Sequence, residues 1–288
     1  MELFQYPYMQ HALIAALVIG LAAPALGIYL VQRRLALIGD GIGHVALTGV
    51  GAGLLFQRSP VIAAVIAATL GAVAVELVRA RGRTSGDLAL ALLFYGGIAG
   101  GVMLVGLSDA TSASLNAYLF GSLITISPQD LVTIVVLGVA ILVMMLALRP
   151  ALFAVCHDEE YARVAGLPVR ALNMLLAVAV AVTVTIAMQA VGVLLISALM
   201  VVPVATAQQV TRGFRSTMTA AMALGLFAAG AGVWVAATAD TAPGASVVLL
   251  AIASFLVIAV GSALWRVLRR RATPAAAPSP EPHEVVLR

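Results

Sequence analysis

The chain has 288 residues, of which 62% are hydrophobic and 10% charged, with a net charge of +4 and a mean hydropathy of +1.10. That balance excludes a soluble domain of this length and identifies an all-α polytopic membrane protein. Every basic residue counted is an arginine; without a lysine there is no P-loop, so any ATP hydrolysis that drives this chain belongs to another subunit.

Apolar runs long enough to cross a hydrocarbon core about 30 Å thick predict nine helices, over approximately 10–31, 36–56, 60–79, 88–107, 131–148, 171–188, 191–210, 217–238 and 244–265. The first reads as a permanent span, since no basic residue precedes it and no polar domain follows. Pro24 interrupts it, and Arg33 and Arg34 follow it. "GDGIG" (39–43) opens the second with three glycines, and Gly49 with Gly53 has the spacing of a close helix contact, as does Gly96 with Gly100 in the fourth. Glu76 lies one turn before Arg79, which predicts an ion pair at a helix end. Asp87, beside Arg83, reads as a helix start, and His11 as an interfacial residue.

The stretch at 113–131 looks like an amphipathic helix on the outer surface. The sixth and seventh spans are separated only by "MQAVG", and Pro203 interrupts the seventh. The transmembrane region is placed at 1–271; the Pro/Ala-rich tail, 272–288, with His283, is predicted to be disordered. The lone cysteine, Cys156, reads as an unreactive structural thiol.

Arginines follow the first, third, fifth, seventh and ninth helices, and only Arg58 lies between the others. By the positive-inside rule the N-terminus is outside and the C-terminus cytoplasmic. The net charge records this topology in membrane lipid and calls for no nucleic-acid partner.

Between the fifth and sixth spans, "CHDEEYARVAGLPVRA" (156–171) carries the grammar of a short cytoplasmic helix. Asp158 is the N-cap, Glu159 and Glu160 sit in the first turn, Arg163 near the end, Gly166 just past it, and Pro168 is the stop. Too short to persist in water alone, it needs a surface: the membrane, its own loops, or a partner.

Asp40 and His44, at i and i+4, share one helix face. An aspartate deep in a membrane helix costs about 2.5–3.5 kcal/mol on insertion scales, so something must compensate for it. Carboxylate plus imidazole suits zinc or manganese. A hydrogen bond gluing helices together, or Asp40 reaching toward the cytoplasm near Arg34, explains the pair equally from these residues alone. Gln189, Asp240 or freed carbonyls at the broken helices are the candidates for completing a metal site.

"RRLALIGDGIGHVALTGVGAGLL", "LNAYLFGSLITISPQDL", "DEEYARVAGLPV", "AVGVLLISALMVVPVATA" and "DTAPGASVVLL" together resemble, in order and spacing, the permease subunits of zinc/manganese ABC importers, over nearly the whole chain to about residue 265. The resemblance implies a type II ABC importer permease fold and a homodimer in the inner (cytoplasmic) membrane. It also implies two cytoplasmic ATP-binding subunits and an extracytoplasmic metal-binding protein. It further implies a coupling helix at about 157–167, with Asp158, Glu159, Glu160, Ala162 and Gly166 at the ATPase, and passage of the ion past Asp40 and His44. No permanent cofactor is expected. The cargo is expected to be zinc, with manganese or iron as the alternative.

One departure is "FYGG" (94–97), which stands where some zinc-importing members carry a histidine. An ion-coupled secondary transporter would need more intramembrane carboxylates, and an intramembrane metalloprotease a His-Glu-x-x-His helix that is absent. A chelate importer would want a wider cavity than this pair suits.

Overall fold

The structure, a computed structural model, describes residues 6–80, 86–108, 112–122 and 126–272. These form helices α1 (Pro7–Gln32), α2 (Ile38–Leu55), α3 (Pro60–Ala80), α4 (Gly86–Leu107), α5 (Ser112–Phe120), α6 (Pro128–Ala147), α7 (Arg149–His157), α8 (Glu159–Val164), α9 (Val169–Val191), α10 (Val193–Gln208), α11 (Phe214–Ala239) and α12 (Pro243–Ala272). No strand occurs among the described residues. Arg81, Arg83 and the tail from 273, with His283, lie outside them, as does the side chain of Asp87.

Among the described residues eight helices are long and apolar enough to span a membrane: α1, α2, α3, α4, α6, α9, α11 and α12. The seventh predicted run becomes α10, whose 16 residues make about 24 Å at 1.5 Å per residue, short of a full crossing. The cause is the residue before it. Gly192 has φ +88° and ψ 150°, a conformation essentially reserved for glycine, and the chain breaks there instead of continuing α9 into α10.

The break is covered by protein, as irregular backbone at membrane depth must be. Ser122 N–H donates to Gln189 O at 3.2 Å, and the Gly121 backbone lies against Ala190 and Val191. Residues 112–122 are therefore more than a surface helix: α5 ends by packing into the bundle, against α9 and α10.

Other boundaries shift for local reasons. α6 starts at Pro128, earlier than predicted, because Ser127 and Asp130 form a reciprocal capping box. α12 runs on to Ala272 because "WRVLRR" contains good helix formers and no glycine or proline. α7, a separate helix led by Arg149 and Pro150, lies where the sequence reading placed none.

α1 and α9 form the centre, buried along most of their length. α1 packs on α6, α9, α10 and α11; α2 packs between α3 and α4. Gly49 and Gly53 do meet α3, where added β-carbons would lie 2.6 Å from Ala63 O and 2.7 Å from Pro60 Cα. In α4 the packing residues are Gly97, Gly100 and Gly101, which face α2, whereas Gly96 faces open space. Lipid-length stripes such as Ile62, Ile66 and Leu70 on α3 point outward.

Candidate functional site: the Asp40–Ser197–His44 cluster and the α8 surface

α1 ends in a Schellman turn. Arg34, at φ +58°, donates its N–H to Val31 O at 3.1 Å, and Leu35 N–H donates to Leu30 O at 2.8 Å. That turn delivers the chain to α2 three residues later, so Asp40 falls in the first turn of α2, where the positive end of the helix dipole favours a carboxylate. Asp40 is thus nearer a helix end than a bilayer centre.

The three glycines around it let other helices approach. Positions 39 and 43 face Ser197 and Val193 of α10, and position 41 faces Leu90 and Leu93 of α4. Ser197 Oγ donates to Asp40 Oδ1 at 2.7 Å.

One turn on, His44 is 6% exposed and its Nδ1 is buried without a hydrogen-bond partner. A buried ring nitrogen left this way costs free energy unless something occupies it part of the time. Phe94 meets the imidazole edge-on, with ring centroids 4.6 Å apart at 83°. Thr48 Oγ1 donates to Gly97 O at 2.8 Å, and Gly97 lies so close that a β-carbon there would be 2.7 Å from His44 C. The imidazole is therefore positioned by α4 from behind and at its edge, with the Asp40–Ser197 pair one turn away.

The arrangement offers a carboxylate, a hydroxyl and an imidazole, a donor set suited to a borderline divalent ion. Among the described residues no group of three or more His, Cys, Asp and Glu side chains could hold a metal, so these side chains do not make a closed metal site. Of the suggested completing residues, Asp240 does not join it. Asp240 is exposed as the left-handed cap of α11, at the end of the bundle where α1 begins, since Met9 of α1 packs with Ala229 and Val233 of α11. No hydrogen bond links the Gln189 side chain to Asp40 or His44.

At the arginine-bearing end, the short helix forms as its grammar predicts, as α8. Asp158 Oδ1 accepts Tyr161 N–H at 2.9 Å. Gly166, at φ +80°, ends it with a second Schellman turn, in which Leu167 N–H donates to Ala162 O at 3.0 Å. Ala162 is fully buried, so it seats the helix against the bundle instead of presenting a surface. Glu160, Tyr161 and Val164 point outward, Val164 at 88% exposure. Glu159 is only partly exposed and accepts from Arg33 at 3.4 Å and from Arg163 at 3.2 Å.

Glu76 and Arg79 form the expected ion pair, at 3.0 Å. Burial pushes the Cys156 thiol up to about 11, against the opposing pull of Arg33 and with a smaller upward contribution from Glu159.

The sequence profile of the ABC 3 transport family matches residues 5–262. The chain belongs to that family. Within it this chain is a permease subunit of a metal-ion ABC importer and not the ATPase. It is 32% identical to the manganese transport system membrane protein MntC of Halalkalibacterium halodurans, over 87% of this chain and 86% of that one. It is 30% identical to the high-affinity zinc uptake system membrane protein ZnuB of Haemophilus influenzae, over 83% and 91%. A solved structure, PsaBC from Streptococcus pneumoniae in complex with Fab, shares the fold with a TM-score of 0.80, at 29% identity over 89% of this chain and 92% of that one.

Reading the sequence of this ABC 3 permease missed Ser197, Phe94 and the buried role of Arg33. Ser197 had a signal, being the one hydroxyl among the apolar residues between Gly192 and Pro203. Phe94 stood out only in the "FYGG" departure and Arg33 only in the basic pair after the first helix, because their partners come from other helices.

Proposed function

We propose that this permease, as a homodimer in the cytoplasmic membrane, moves a divalent first-row metal ion inward past Asp40, Ser197 and His44. Two separate ATP-binding subunits supply the energy and an extracytoplasmic binding protein supplies the ion. The N-terminus faces outward and the C-terminus the cytoplasm, a reading supported by the arginines, which gather at the α8 end of the bundle. The single observation that carries the reading is the buried, unpartnered His44 Nδ1 beside the Asp40–Ser197 pair.

Asp40 and His44 replace part of the ion's hydration shell during passage. Two oxygen donors to one nitrogen, with Phe94 where another imidazole would add a softer ligand, favour manganese over the zinc expected from the sequence. Docking to the ATPase uses the outward face of α8, Glu160 with Tyr161 and Val164. Asp158 and Gly166 delimit that helix, and Ala162 and Glu159 anchor it.

Proteoliposomes holding the permease, its ATPase and its binding protein test this. ATP-dependent uptake of radiolabelled manganese is expected, with zinc the weaker cargo. Uptake without ATP would point instead to a secondary transporter, and no metal uptake under any condition would end the reading.

A further inference from the structure

We propose that Arg33 is the positioning residue that carries movement of the ATPase-docking helix α8 to the metal contact on α2. The inference rests on the function proposed above and adds a residue to it.

Arg33 caps α1, and the tight Schellman turn at Arg34 and Leu35 joins it to the start of α2. A displacement of Arg33 is therefore passed along a short, hydrogen-bonded stretch of backbone to the turn that holds Asp40. Its side chain is only 8% exposed and forks between two other elements. Nη1 donates to Asn173 Oδ1, on α9, at 2.8 Å, and Nη2 to Glu159 Oε2, on α8, at 3.4 Å. A planar guanidinium holds two acceptors in fixed directions at once, which an ammonium does less well. The second carboxylate oxygen of Glu159 accepts from Arg163 of its own helix, so α8 moves as a unit with the atom that Arg33 grips.

α8 is short and packs chiefly on α7 and α9. It is six residues long, too short to be stable by itself, and its seat in the bundle is the small side chain of Ala162. Beside it lies a cavity of about 840 Å³ bounded by Arg33, Glu76, Arg79, Glu159, Arg163 and Asn173. The helix therefore borders open space toward α3, and the Arg33–Glu159 tie joins it to the start of α2. The Asn173 contact carries the same motion to α9, which packs against α2 where Val184 meets Gly43.

The test uses the full complex with its binding protein and manganese, comparing Arg33→Gln and Arg33→Lys with the unmutated chain. Arg33→Gln is expected to assemble and to hydrolyse ATP at the basal rate. Stimulation of hydrolysis by metal-loaded binding protein should fall about tenfold, with uptake falling alongside, within the usual range of site-to-site coupling. Arg33→Lys, which keeps a cation for Glu159, should recover part of the stimulation.

Stimulation and uptake unchanged in Arg33→Gln would overturn the proposal. So would assembly, basal and stimulated hydrolysis all falling by one factor, since that is the signature of a residue that only supports the fold. Uptake by the unmutated complex separates the two readings: if it is absent, the proposed function has failed; if it is present and equally fast in the Gln form, only the role of Arg33 has.

Discussion

Cys156 shows what burial does to a group that is reactive in water. It lies on α7 among apolar neighbours, and its thiol is held at about 11, because the thiolate is disfavoured away from solvent more than Arg33 favours it. The acid form therefore dominates at neutral pH, and reactive thiolate appears only as pH rises toward 11. Maleimide should label the folded protein far more slowly at pH 7 than after denaturation in SDS, with the rate climbing as pH is raised. Prompt labelling of the folded protein at pH 7 would show the side chain to be open.

At the same scale, Asp40, His44 and the capping role of Asp158 were legible because each acts through spacing within a few residues. Ser197, Phe94 and Arg33 act across 157, 50 and 126 residues respectively, to Asp40, His44 and Glu159, distances over which a single sequence carries no pairing information.

Among the elements, α10 gives the clearest consequence. Its start depends on Gly192, where both the backbone conformation and the contact with Leu119, Phe120 and Gly121 forbid a β-carbon. Gly192→Ala should destabilise the protein by about 1–3 kcal/mol, seen as a lower Tm in detergent. Gly106→Ala on α4, where a β-carbon meets nothing, should leave Tm unchanged. Equal Tm for both variants would contradict the packed break.

Hydropathy revealed where the long helices lie but could not show that one of them stops short, because the shortening comes from the backbone conformation at Gly192. α8 was readable in advance since its caps are local. α7 was not, its apolar face making sense only against Phe214 of α11, whose ring meets both Phe153 and Tyr29.

For the molecule as a whole, the arrangement joins two ends of one task. The arginine-bearing end carries a short helix with an exposed face. One short hydrogen-bonded turn away, α2 begins with a carboxylate and an imidazole turned inward against α10 and α4. Asp40 accepts its hydrogen bond from Ser197 of α10, and the proposed function uses this pair as the contact for a passing cation.

The most direct test is ATP-driven manganese uptake by the reconstituted complex carrying His44→Ala or Asp40→Ala. Uptake should drop to background while the complex still assembles and hydrolyses ATP. Uptake at the unmutated rate in His44→Ala would contradict the claim that this histidine contacts the ion in transit.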